Sequence, residues 1–156
     1  MENFDLNQIP EKLRMLGLSL YWCEGTKNHS KTAGGKKVEL VNSDKYLIIA
    51  FLKFLRCLNI DENRLRGKVK IHKNQNIVQI EQYWSHISKI PLKQFHKPII
   101  RNYDNNNKNS VGTFTVIYSS TKLWKCIMEG IRIHFKEPRV GIEPTTSALP
   151  MQHSTN

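Results

Sequence analysis

The sequence predicts an α+β fold, and three observations carry that prediction. First, two distant stretches, VELVNSDKYLIIAFLKFL and FTVIYSSTKLWKCIMEGI, both read as a strand, a polar serine-containing cap and a helix, with Leu47 and Leu123 at the same offset. Second, RLRGKVKIHK sets Leu65, Val69 and Ile71 on one face and Arg64, Arg66, Lys68, Lys70 and His72 mostly on the other, the period of a half-buried strand with a cationic side. Third, stretches with helical apolar spacing alternate with these strands without long linkers. A chain of 156 residues with 39% hydrophobic and 24% charged residues fits one domain able to bury a core.

In chain order, Pro10 suits a first helical turn and opens a helix to Glu24 that is apolar through most of its second half, hence packed on most of its sides. Gly25 is expected to supply a left-handed cap. TKNHSKTAGGKK then reads as a basic loop or irregular strand, and KVELVNS as a half-buried strand after which Ser43 or Asp44 caps the helix DKYLIIAFLKFLRCL. Gly67, inside the cationic strand, is expected to mark a bulge or turn. Asn76 opens the helix NIVQIEQYWSHISKI, which Pro91 stops. Tyr83 and Trp84 share helical spacing with Ile80 and Ile87, which places them mainly in the core rather than on a base-stacking surface. LKQFHKPIIR is a short edge piece, DNNNKNS a turn, GTFTVIYSS a strand and STKLWKCIMEGIRIHF an amphipathic helix entered from serine.

Charge points to the partner. The chain carries 24 Lys and Arg against 13 Asp and Glu, a formal +11. The excess concentrates in residues 36–108, with fifteen Lys and Arg against six Asp and Glu. Polyanions are the expected ligands. An anionic membrane would also attract such a surface, but no apolar run approaches spanning length and the start MENFDLNQIPEKLR is too acidic and polar for a signal peptide, so a cytoplasmic nucleic-acid partner leads. Cys23, Cys57 and Cys126 are odd in number, lack CxxC spacing and lie in apolar helical stretches. They read as buried free thiols, and no histidine stands at zinc-finger spacing from them.

Ser19 and Cys23, four apart on the first helix, share a face whose small side chains either admit a second helix or pack internally. Glu24 at the helix end is either a solvated carboxylate or half of a pair assembled with a second copy. GLSLYWCEG, residues 17–25, resembles the LAGLIDADG signature of homing endonucleases, an apolar helix with small residues at helical spacing that ends in an acid and a glycine. The order of elements over residues 11–134 is similar as well, and YWSHISKIPLKQF with GTFTVIYSS resembles an uncharacterised bacterial and archaeal group of that kind, in which a helical insertion, here residues 76–90, interrupts the sheet.

The resemblance implies a curved mixed or antiparallel sheet with helices on one face, a homodimer seam at Ser19, Cys23 and Gly25, and double-stranded DNA along the sheet. DNA contacts would fall to Lys27, Lys36, Lys37, Arg64, Arg66, Lys68, Lys70 and His72. Glu24 would be the catalytic and metal-holding residue, with Mg²⁺ as the cofactor of phosphodiester hydrolysis. Since the chain has a single signature helix, the paired site must be built between two chains. A catalytically inactive DNA-binding regulator or degenerate remnant of the same fold is the alternative, and an RNA-binding protein a third. Lys122 and Lys125 are the residue type that steadies a scissile phosphate.

Residues 1–10 read as an N-terminal extension, 11–138 as the domain, and 139–156 as a disordered appendage without the preceding periodicity. Gly141–Pro144 and His153–Asn156 can be encoded by codons whose complements resemble the T-arm and D-arm of a tRNA gene in the right order. The tail is therefore expected to be an antisense reading with no selected structure, next to a site of the kind mobile elements occupy.

Overall fold

The computed structural model describes residues 3–27, 35–104, 106 and 110–136. The expected tail at 139–156, most of the glycine-containing basic loop and most of the asparagine run lie outside the described residues.

Eight principal elements follow in order: α1 (Glu11–Glu24), β1 (Lys37–Asn42), α2 (Lys45–Cys57), β2 (Leu65–His72), α3 (Ile77–Ser88), β3 (Ile99–Arg101), β4 (Thr113–Ser119) and α4 (Thr121–Ile131). The fold is α+β, with one mixed four-stranded sheet in the order β1-β4-β2-β3. β4 runs antiparallel to both neighbours, and β3 lies parallel to β2 at the edge, where Pro98 just before it removes no ladder hydrogen bond.

The junctions follow local chemistry. Asp44 caps α2 by accepting from the Tyr46 amide at 2.7 Å, Asn76 caps α3 through the Gln79 amide at 3.1 Å, and Ser120 caps α4 through the Leu123 amide at 3.1 Å. α3 ends where Lys89 turns left-handed at φ 60°, two residues before Pro91. The two similar strand-cap-helix units lie side by side, since β1 pairs with β4 along its full length.

Strand alternation makes the core one-sided. Val38 and Leu40 of β1, Leu65, Val69 and Ile71 of β2, and Phe114, Val116 and Tyr118 of β4 are buried beneath the helices, together with Leu18, Tyr21, Phe51, Phe54, Leu55, Trp84, Leu123 and Ile127. Trp84 stacks on Phe114 with centroids 5.0 Å apart and donates its indole N–H to the Val111 carbonyl at 2.8 Å. Tyr83 packs partly buried beside it, so both aromatics serve the core as expected.

Four expectations require correction. Gly25 is not left-handed: at φ −78° and ψ 150° it is extended and already bridges Leu40 of β1. A side chain there is excluded by the Tyr21 ring, 2.4 Å from where a Cβ would stand. Gly67 is neither bulge nor turn, for β2 pairs with β4 without interruption across it; the rings of Phe114 and Phe95 occupy its Cβ space at 2.7 and 2.8 Å. α1 is not packed on most sides. It buries Gly17, Leu18 and Tyr21, while Leu16 is 45% exposed and Trp22 38%, because the core touches only one flank of the helix. Cys23 and Cys57 are exposed rather than buried, pointing away from the sheet, and Cys126 is half-buried with its thiol pushed up in pKa by burial. All three are free.

The segment before α1 joins the core. Ile9 is buried, Phe4 and Leu6 pack against the main cluster, and the missing side chain of Gly130 in α4 leaves room for Leu6, whose Cδ1 stands 2.5 Å from an added Cβ.

Candidate nucleic-acid interface

The helices cover one face of the sheet, and the side chains of the opposite alternation form the other. On β2 these are Arg66, Lys68, Lys70 and His72, each half-buried, while the intervening residues are buried. On β4 they are Thr113, Thr115 and Ile117, and on β1 Lys37, Glu39 and Val41. Register then fixes rows across the sheet: Glu39, Ile117 and Arg66 in one, Val41, Thr115 and Lys68 in the next, Thr113, Lys70 and Ile99 in a third, and His72 with Arg101 at the end. Between them lies a shallow trough of about 180 Å³, lined by Lys68, Lys70, Glu39, Val41, Ile99 and the three β4 residues.

The expected DNA contacts therefore divide. Arg66, Lys68, Lys70 and His72 do share this face. The guanidinium of Arg66 leans on the turn before β2, donating to the Asn63 and Leu65 carbonyls at 2.6 and 2.8 Å. The Nδ1 atom of His72 lies 3.1 Å from the Tyr103 carbonyl oxygen, and Arg101 donates to the Tyr103 hydroxyl at 2.9 Å, which extends the polar end of the row. Lys37 also faces this side and pairs with Glu39 at 3.5 Å, an exposed contact of small energetic consequence.

Arg64 departs from the row. It belongs to the 3₁₀ turn Glu62–Arg64, so its parity with Arg66 does not carry over: its guanidinium lies 5.0 Å from the Tyr118 ring and donates to the Ser119 carbonyl. Lys36 is likewise engaged elsewhere, its ammonium 3.6 Å from the Trp124 ring centroid on α4. Lys122 and Lys125 are carried by α4 in the helical layer, Lys125 on the rim of a depression shared with Met128 and Arg132. Arg56, among the cations counted by sequence, is structural, clamping Glu62 at 2.7 Å and the Ser88 carbonyl at 2.9 Å. Sequence reasoning passed over Val41, Thr113, Thr115, Ile117, Ile99 and Arg101 as members of the face.

The α1 residues stand at the other margin of the sheet. Thr26 donates its amide to the Glu39 carbonyl at 2.9 Å, so Gly25 and Thr26 run as a rudimentary strand along the free edge of β1, with exposed Lys27 following. Glu24 precedes that strand at the helix end and is exposed. Helical spacing puts Lys12, Leu16, Ser19 and Cys23 in one outward row opposite the buried Gly17, Leu18 and Tyr21. Gly17 is a position of close helix approach within the chain, since the Phe54 ring of α2 fills the space of its added Cβ.

Among the described residues no three His, Cys, Asp or Glu side chains gather as a metal-binding group. Among those residues, too, no helix is long and apolar enough to cross a membrane. Comparison of the chain with family models, with curated proteins and with solved structures returned no match.

Proposed function

We propose that this chain binds duplex DNA on the open face of its sheet and acts as a homodimer joined through α1. The observation that carries the reading is the row Arg66, Lys68, Lys70 and His72, held at alternate positions on a face that no described helix covers. Alternate residues on a strand stand about 6.6–6.8 Å apart, so Arg66, Lys68 and Lys70 present a line of positive charge rather than scattered cations. Such a line neutralises successive phosphates and releases their counterions. The outward Leu16, Ser19 and Cys23 row supports self-association, and the resemblance of GLSLYWCEG to the LAGLIDADG signature supports the same seam.

The resemblance extends the reading to phosphodiester hydrolysis. Glu24 suits the role in type and exposure: it is an oxygen donor at a helix end, which Mg²⁺ accepts. One carboxylate does not complete a site, so the second would come from the partner's α1, with water and phosphate oxygens as further ligands. When bound there, Mg²⁺ would supply charge neutralisation at the phosphate. The chain's own part is to hold Glu24 beside the sheet edge through the Gly25 and Thr26 pairing with β1.

The test is binding of a fluorescent random-sequence duplex across a salt series. Affinity should fall steeply with salt, and K68Q combined with K70Q should reduce the log–log slope by roughly 0.9 for each phosphate that the variant no longer neutralises. A parent protein that ignores duplex at low salt would sink the proposal. Nicking of supercoiled DNA in Mg²⁺ that is lost in E24Q while binding persists would assign the cleavage step, and equal binding without nicking by either protein would leave a DNA-binding regulator.

A further inference from the structure

The trough between the cationic strand and β1 is not lined by charge alone: beside Lys68, Lys70 and Glu39 stand five uncharged residues, Val41, Ile99, Thr113, Thr115 and Ile117. Ile117 forms its floor: it is only 6% exposed although it stands on the uncovered face, and it is absent from the main core cluster. Its directly paired neighbours are Glu39 and Arg66. Val41 at 40% and Ile99 at 41% exposure lie at the two ends of the lining, on the strands flanking β4 and β2. Thr115 stands between Val41 and Lys68 in one row. Phosphate oxygens are met by charge and hydrogen bonds, whereas the methyl groups of Val41, Ile99, Thr113, Thr115 and Ile117 offer contact to an apolar group.

Resting on the DNA reading above, we infer that this trough recognises the C5-methyl group of thymine in the major groove. The major groove is wide enough for a two-stranded ribbon, and the thymine methyl is the one apolar group that any base edge displays there. The minor groove shows no methyl, and RNA carries uracil, which lacks it, in a major groove too narrow to enter. The trough contains no Asn or Gln that would pair with adenine, and its single acid, Glu39, is engaged by Lys37 at 3.5 Å. Lys68 and Lys70 lie one strand away from Thr115 and Thr113, about 4.8 Å, so they can reach the groove wall while the methyl-bearing side chains meet base edges. At about 180 Å³ the trough is several times the ~30 Å³ share of a water molecule, enough for more than one methyl.

The experiment compares the full chain on a duplex of alternating A·T pairs with the same duplex carrying deoxyuridine for thymidine, which removes only the methyls. The deoxyuridine duplex should bind at least about fourfold more weakly, the factor one buried methyl supplies. A G·C duplex with 5-methylcytosine should bind more tightly than its unmethylated form. The variant V41S combined with I99S, both exposed positions, should bind the A·T and A·U duplexes alike while keeping the steep salt dependence of Lys68 and Lys70. Equal affinity of the parent protein for thymidine and deoxyuridine duplexes, with the salt dependence intact, overturns methyl recognition and leaves DNA binding standing. Failure to bind any duplex at low salt removes both.

Discussion

Tyr21 shows how much one side chain holds. It lies wholly inside the protein, stacked on Phe51 with centroids 5.9 Å apart, and donates its hydroxyl proton to the Thr26 carbonyl at 2.6 Å. That bond ties the end of α1 to the rudimentary strand on which the position of Glu24 depends. Burial disfavours the phenolate and outweighs the hydrogen bonding that favours it, so the pKa is pushed up from 10.0 to about 12. The sign follows from proton linkage: the native state holds this proton more tightly than the unfolded chain, so the contribution is complete below pH 10.0 and is lost as pH climbs through about 12. Y21F should cost about 1 kcal/mol at neutral pH through removal of that hydrogen bond. Thermal melts should then show its stability falling less than the parent's over the alkaline window, and parallel pH curves for the two proteins would deny Tyr21 that role.

At the scale of elements, β2 sets two opposing effects against each other at Gly67. Valine is a strong strand former, and propensity alone would favour G67V by up to about 1 kcal/mol. Its Cβ, however, would stand within 3 Å of the Phe114 and Phe95 rings, and overpacking of that kind costs about 1–3 kcal/mol. Packing should win, with G67V unfolding at lower urea by a free-energy loss on the order of 2 kcal/mol. A variant more stable than the parent would mean that the Phe95 segment moves aside freely. Gly67 also marks where the sequence stops being legible. Alternation in RLRGKVKIHK reveals the cationic face, and Asp44, Asn76 and Ser120 reveal their helix starts, because these are local effects. The reason for Gly67 lies in Phe95 and Phe114, distant in the chain, and the insertion of β4 between β1 and β2 is a long-range pairing with no local signature. Arg64 deceives by parity, since the turn before Leu65 breaks the alternation that its spacing suggests. Ile117 is hidden by the run Val116, Ile117 and Tyr118, three consecutive buried residues whose middle member faces the opposite side from its neighbours.

For the whole molecule, α1 is the element on which the proposed dimer depends. Its inner flank is filled by Phe51, Phe54 and the Gly130 contact with Leu18, whereas its outer row exposes Leu16 and Cys23 with Ser19 half-buried between them. A second copy related by a two-fold axis running along α1 would meet this row with the same row and bring both Glu24 residues to one end of the seam. It would also join two cationic sheets into one continuous surface, so association and DNA affinity should fall together. L16D tests this at an exposed position where the fold loses little. Sedimentation over a concentration series should show the parent as a dimer and L16D as a monomer, with self-association weakened at least about tenfold, the factor that ~1.4 kcal/mol supplies, and the urea midpoint of the dilute monomer unchanged. DNA affinity should drop with dimerisation while Lys68 and Lys70 remain in place, because each monomer then neutralises only half the phosphates. If the parent sediments as a monomer at every concentration and L16D binds DNA as tightly as it does, α1 is not the seam, and the convergence of Glu24 residues has no geometric basis.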